Sequence, residues 1–353
     1  MGGNASMKAI RSFALSITIL SILLIGVVIV SICIGTVTFP PGKVFKALGS
    51  RLPFLSQSIQ VDPSTATIVW DLRLARALLA ASVGSALAVS GAAFQGLFRN
   101  PLADPFVIGA SSGAALGATI AIVLNLQAGY LGLRPIPFTA FLGALAAVAA
   151  VYLISQTGRQ APPAVALLLA GTALGSLMSS IVSLIMSLNA RELHQIFFWL
   201  LGGFGGRSWS ELISLLPYLL LSFIILGLVS RPLDIMAFGE EAAQGMGLSV
   251  RHSRLMIVIA ASLATAAAVA NTGIIGFVGL LAPHTARLLF GYIHRRLIPA
   301  SALLGAILLV LADDLARTIL QPQELPVGVL TALLGAPFFL YLLRSRRERL
   351  GGD

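Results

Sequence analysis

Long apolar stretches separated by short polar ones fill almost the whole chain. Ten of them are long enough to cross a bilayer as helices, over residues 12–34, 72–96, 105–125, 136–155, 164–188, 210–229, 254–272, 274–291, 297–319 and 326–344. The stretches are continuous rather than alternating, so the pattern predicts an all-α polytopic membrane protein and not a barrel. Residues 1–353 read as one transmembrane domain. The first run, over 13–34, follows Lys8 and Arg11 and is too long for a signal-peptide core, which makes it a first span. Strings of small residues, such as Gly84, Ala88, Gly91 and Ala92, predict closely approaching helices, the usual way to hold a bundle together in lipid.

The polar interruptions carry the information. The longest inner one, RPLDIMAFGEEAAQGMGLSVRHSR over 231–254, is amphipathic and broken by Gly239, Gly245 and Gly247. It reads as a folded handle of about 234–248 for another protein to grip; a plain interfacial helix between two spans would carry the same pattern. FRNPLADPFVIGASSGAALG over 98–117 has Pro101 and Pro105, which prevent the second span from running into the third. Asn100 and Asp104 can cap or turn this backbone, which is a simple hairpin or a constriction. Residues 189–209 are half polar and glycine-dense, and predict a short outer helix and loop beside a cavity. Residues 35–71 predict an outer loop with some short helix. Asp313 and Arg317, at i and i+4 near the end of the ninth span, can pair.

Composition agrees with the pattern: 57% of the 353 residues are hydrophobic and 10% charged, with mean hydropathy +0.95. A soluble domain carries about 25% charged residues. The net charge of +10 marks inner loops rather than a nucleic-acid partner. With both termini in the cytosol, the inner loops hold 14 of the 23 Lys and Arg, a bias of the expected sign. The outer basic residues then need a reason. Arg73 and Arg76, three apart, are expected to share one helix face near a helix start, where the dipole disfavours cations. They serve either lipid headgroups or an acidic partner outside the cell.

Catalytic chemistry is missing from the sequence. It has no G-x-x-x-x-G-K-[ST], no H-E-x-x-H and no C-x-x-C. Cys33 stands alone in an apolar run, and the histidines His194, His252, His284 and His294 are scattered, so no metal site and no bound cofactor is expected. His284, behind Pro283, reads as a packed or loop-capping histidine, with a haem-ligand role as the alternative. Few carboxylates lie mid-span, which argues against a proton relay and hence against an ion-gradient-driven secondary transporter. The chain reads as a conduit whose energy comes from elsewhere.

Six stretches, in order, carry a resemblance: LRLARALLA (72–80), SGAAFQGLFRNPLADPFVIGASSGA (90–114), FWLLGGFGGRSW (198–209), RPLDIMAFGEEAAQGMGL (231–248), GIIGFVGLLAPHTARLLFG (273–291) and ADDLARTILQPQELPVGVLTALLGAPFFLYLL (312–343). In these the chain resembles the permease subunits of type II ABC importers for iron–siderophores, haem and cobalamin. The resemblance implies a dimer of ten-helix subunits, a copy or a paralogue, in a bacterial or archaeal inner membrane. It implies a cytosolic ABC ATPase dimer that carries the catalysis and grips a coupling helix at Asp234, Met236, Gly239, Glu240, Glu241, Gln244, Gly247 and Leu248. It implies an extracytoplasmic binding protein that docks acidic residues on Arg73, Arg76 and Arg317. It implies cytoplasmic gates at Asn100 and Leu102 and, entering the fifth span, at Ala164 and Val165. Ala75 stands where the family often has Pro, and PPAVA at 162–166 where it often has Ser or Thr. The expected cargo is an iron–siderophore chelate, with cobalamin or haem as the alternatives; GGFGG at 202–206 is similar to the cobalamin type.

Overall fold

The computed structural model describes residues 2–35, 37–51, 60–126, 134–156 and 163–350, with side chains over 13–340 within them, residue 163 apart. The side chains of Lys8, Arg11, Arg159, Arg344, Arg346, Arg347 and Arg349, counted above toward the inner loops, lie outside the described set, as does part of the 35–71 segment. Every described element is helical. In chain order they are α1 (Gly2–Cys33), α2 (Pro41–Ser50), α3 (Pro63–Thr67), α4 (Ala75–Leu97), α5 (Ala110–Val123), α6 (Pro135–Ser155), α7 (Pro163–Leu188), α8 (Leu193–Leu201) and α9 (Trp209–Leu228). Then follow α10 (Ser230–Met236), α11 (Glu240–Gly245), α12 (Val250–Thr272), α13 (Val278–Phe290), α14 (His294–Thr318) and α15 (Val327–Leu350).

Among the described residues, seven helical stretches are long and apolar enough to cross a membrane. The shorter α5, α13 and the apolar part of α15 complete ten. Two expected full spans are therefore split. Before α5, Asp104 accepts a hydrogen bond from the Phe106 amide (2.8 Å) and starts a 3-10 turn, Pro105–Ile108, that ends at left-handed Gly109. Before α13, residues 273–277 are not helical, and Phe277 itself is left-handed (φ 67°). Gly273 is needed there because a Cβ would run into the carbonyl of Trp199. The second span is longer than its hydropathy suggests. Helix runs unbroken from Pro63 to Leu97, with Asp62 capping its start and a π-helical stretch at Ile68–Leu74.

Three helices, α4, α12 and α14, form the buried centre, while α1, α6, α7 and α9 are mostly uncovered. The centre is built from small residues. A Cβ on Gly84 would meet the backbone of Gly305, and one on Gly91 the carbonyl of Gly279, so α4 lies directly against α14 and α13. Gly113 and Gly143 bring α5 and α6 together in the same way. Dispersion and close backbone approach hold such pairs, since lipid gives no hydrophobic drive between helices.

Candidate functional site

Functional candidates lie at the two ends of the bundle. At one end the handle is two helices rather than the single helix expected over 234–248. Gly239, at φ 112°, breaks it between α10 and α11, and Gly247 is left-handed behind α11. The break divides the residues by role. Asp234 turns inward: its Oδ1 accepts from the His294 amide (2.9 Å) and from the ring Nδ1 (2.6 Å), so a residue of α10 caps α14. Glu240 pairs with buried Arg254 at 2.6 Å. Met236 is buried and Leu248 half-buried. Glu241, Gln244 and Gly247 face out, together with two residues the sequence reading passed over, Phe238 (78% exposed) and Met246 (58%). Two large exposed apolar side chains beside a carboxylate suit a protein partner better than water.

The turn after α4 lies at the same end. Asn100 Oδ1 accepts from the Leu102 amide at 3.0 Å, which leaves Leu102 projecting and exposed. Desolvation raises the Asp104 pKa from its ordinary value to about 6. The turn packs on α7, where a Cβ on Gly171 would meet the Val107 carbonyl. Ala164 joins the same apolar cluster as Ala103 and Ile108, and Val165 is exposed beside it. The turn after α4 and the start of α7 thus share one apolar cluster. From there α7 runs the length of the bundle with an exposed hydroxyl stripe, Thr172, Ser176, Ser180, Ser183 and Ser187. The hydroxyls of Thr172, Ser180, Ser183 and Ser187 donate to their own helix's carbonyls, three or four residues back. Their lone pairs remain for water, so this face tolerates a wet path as well as lipid.

At the opposite end the three arginines are not arranged as a shared outward face. The π-helical stretch turns Arg73 away from Arg76. Arg73, 9% exposed, donates to the carbonyls of Ile32 (2.8 Å), Cys33 (3.2 Å) and Val37, closing the end of α1. Arg317, 7% exposed, donates to Ser31 Oγ (2.9 Å) and pairs with Asp314 and, at 3.3 Å, with Asp313. Both guanidiniums are internal fasteners of α1, α4 and α14. Of the three, Arg76 alone lines a cavity at this end, and there it already holds Asp313 (2.8 Å) and Glu324 (2.9 Å). Asp313 is buried, whereas Glu324 is exposed at the cavity edge.

That cavity, about 620 Å³, lies between the start of α6, the end of α8, the 202–207 loop and residues 324–326. A short helix beside a cavity is therefore present as α8, where the sequence places one. A girdle closes the same end: Trp209 Nε1 donates to the Trp70 carbonyl (3.0 Å) and Trp70 Nε1 to that of Ala47 (2.9 Å). Glu211 and Glu324 escaped the sequence reading, as did the roles of His294 and of Asp314, which pairs with Arg317 at i,i+3. A pair between distant segments, such as Arg134–Glu211 or Arg76–Glu324, leaves no local spacing to find, although ADDLAR did mark Asp313.

A sequence model of the FecCD transport family matches residues 22–345. The uncharacterised ABC transporter permease protein YvrB of Bacillus subtilis is 44% identical over 321 residues, 91% of either chain. A cobalamin import system permease protein, BtuC of Halobacterium salinarum, is 44% identical over 288 residues, 81% of this chain and 76% of that one. A solved inward-facing ABC transporter structure, described as of the metal-chelate type, superposes with TM-score 0.80 at 32% identity, over 93% of this chain and 98% of that one.

Proposed function

This chain belongs to the FecCD transport family, and from that premise we propose that it is the membrane-spanning subunit of an ATP-driven importer of metal chelates, iron–siderophore complexes first. It supplies the path and not the energy, because its sequence holds no phosphate-binding loop. The end that carries α10 and α11 faces the cytosol, and both termini lie on that side. A dimeric ABC ATPase grips the exposed face of α10 and α11 through Phe238, Glu241, Gln244 and Met246. Asp234, Glu240, Met236 and Leu248 hold that face in place from within.

The subunit works as a dimer, with the hydroxyl stripe of α7 along the path. Leu102 and Asn100, with Ala164 and Val165, narrow the path at its cytosolic end. A binding protein delivers the chelate at the opposite end. Its acidic residues compete with Glu324 for Arg76, while Arg73 and Arg317 stiffen the platform from below. Nucleotide binding then moves α10 and α11, and the bundle rocks between inward- and outward-open states.

The observation that carries this reading is the amphipathic, partly uncovered α10–α11 unit, held by Asp234–His294 and Glu240–Arg254 on a chain with no energy source of its own. Purified with its ATPase and binding protein and reconstituted in liposomes, the chain is expected to drive chelate uptake that stops when ATP is withheld. Uptake that follows an ion gradient and needs no ATPase would overturn the reading.

A further inference from the structure

α4 ends in a Schellman turn. The Asn100 amide donates to the Gln95 carbonyl (3.1 Å) and the Arg99 amide to that of Gly96 (3.2 Å), with Arg99 in the left-handed region at φ 50°. Gly usually fills this position, and sometimes Asn, because a Cβ is strained there. α5 closes in the same way and follows the rule: the Asn125 amide, at φ 47°, donates to Ile122 (3.0 Å) and the Leu126 amide to Ala121 (3.1 Å). α4 departs from the rule with a long cationic side chain.

Nothing inside the fold offsets that strain. The Arg99 side chain is exposed, and among the described residues its guanidinium has no ion pair and no hydrogen bond. Its charge suits the end of the α4 dipole, but a cation one turn earlier would gain the same without strain. The guanidinium lies at the break in the handle, where Nη1 is 3.8 Å from the place a Cβ on Gly239 would take. It lines a second cavity, about 590 Å³, between the ends of α4, α10 and α13 and the start of α14. Arg99 and Arg287 line it against one carboxylate, Asp234, and His294 already holds that carboxylate. An incoming acid therefore finds a net positive site with an accessible guanidinium. Ala237 and Phe238, both exposed, form the handle side of the same cavity, so a protein seated on Phe238 also covers Arg99.

We propose that Arg99 is a second attachment point for the ATPase, outside the handle: a carboxylate side chain of that subunit enters this cavity and pairs with the Arg99 guanidinium. The proposal rests on the importer reading above and deepens it. Asn100 and Leu102 follow Arg99 directly, so the ATPase holds the turn after α4 as well as α10 and α11. A closure that shifts one attachment relative to the other acts on that turn without passing through α14.

The test is the affinity of the ABC ATPase dimer for the full chain in nanodiscs, with thermal unfolding of the chain measured alongside. Arg99→Gly and Arg99→Asn both install residues that tolerate a left-handed backbone, so the unfolding midpoint should hold or rise. ATPase affinity should nevertheless fall roughly tenfold, the loss of one charged hydrogen bond. The gap from wild type should shrink as salt is raised, and Arg99→Lys should recover part of the affinity. Wild-type affinity in both variants overturns the proposal and leaves the importer standing. A midpoint that falls together with affinity in both variants assigns Arg99 to the fold and overturns it. A loss of affinity seen in nanodiscs of phosphatidylglycerol but absent in those of phosphatidylcholine gives the cavity to a lipid headgroup and overturns it too. If the wild-type chain binds no ABC ATPase, the importer reading itself falls.

Discussion

Arg73 separates a fastening role from a docking role. Truncation to alanine removes a buried guanidinium that donates to three carbonyls, those of Ile32, Cys33 and Val37. It also removes the cation 4.7 Å from the Phe39 ring centroid. The carbonyls of Ile32 and Cys33 are among those that the end of α1 leaves without intrahelical partners, where the helix dipole also favours a cation. Hydrogen bonds inside membrane proteins average about 0.6 kcal/mol, so three give roughly 2 kcal/mol as a lower figure. Counting one stranded acceptor at about 1–3 kcal/mol, since the Cys33 carbonyl keeps the Phe39 amide, with about 0.5–1 kcal/mol for the ring contact, brings the loss to about 3.5–6 kcal/mol. Denaturant unfolding in detergent, followed by tryptophan fluorescence, measures it directly, because Trp70 lies one turn away. The affinity of the remaining folded protein for its binding protein should be unchanged. A variant that unfolds within about 0.5 kcal/mol of wild type, yet loses binding-protein affinity in a salt-sensitive manner, would refute the fastening role.

Three further outcomes follow from the same geometry. Glu240→Lys should cost about 3 kcal/mol or more because it strands buried Arg254, whereas Glu241→Lys, on the exposed face, should leave the unfolding midpoint alone and lower ATP-driven uptake. Thermal unfolding paired with the uptake assay tells them apart. Gly91→Val should fail to give a monodisperse protein on gel filtration, since its side chain would displace the Gly279 backbone; Gly26→Val, with nothing within 4 Å, should behave as wild type. The Asp104 carboxyl has a folded pKa of about 6, above its ordinary value of 3.8. A raised carboxyl pKa means that ionisation destabilises the fold, so this penalty grows as pH rises from about 4 to about 6 and stays constant above. Asp104→Asn, which keeps the capping oxygen, should therefore gain stability over wild type across that window; a difference that does not change with pH in denaturant titrations would contradict it.

Hydropathy made ten crossings legible because a helix in lipid must be apolar over about 20 residues, whatever its neighbours are. The same rule misplaced the edges around α5 and α13. Apolar residues that pack inside the bundle need not be helical, and at 105–109 and 273–277 the backbone turns within protein instead. Ala75 to Leu97 were readable as a tight packing face from Gly84, Ala88 and Gly91. The partners of that face, Gly305 and Gly279, were not, since nothing local says which helix a small residue meets. Arg73 and Arg76 failed for a specific reason: the i, i+3 rule assumes α-helical pitch, and the π-helical stretch at Ile68–Leu74 abolishes it. The exposed handle was visible as a polar island, but its division at Gly239 into inward and outward residues depends on His294 and Arg254, which lie 60 and 14 residues from Asp234 and Glu240.

One helix connects the two ends. α14 has 25 residues, a length of roughly 37 Å at the α-helical rise. At its start, Asp234 of α10 caps it through the His294 amide and ring. The His294 ring is closed in from the other side by Gly96 of α4, where a Cβ would leave no room. At its far end, Asp313 and Asp314 hold Arg76 and Arg317, and Arg317 reaches Ser31 of α1. Midway, Gly84 and Gly305 place the α4 and α14 backbones in contact, so the two helices cannot slide without a clash. Helix pairs packed this closely move as one body, because interiors are dense and repack in discrete steps rather than by smooth deformation. A displacement of α10 that keeps the Asp234–His294 bond therefore carries α14 and α4 together, and with them Arg76 at the edge of the cavity at the far end. The buried charges at the far end of α14 make that transfer rigid: breaking that set leaves an uncompensated ion, at a cost of about 3–5 kcal/mol, whereas moving with the helix leaves every partner in place.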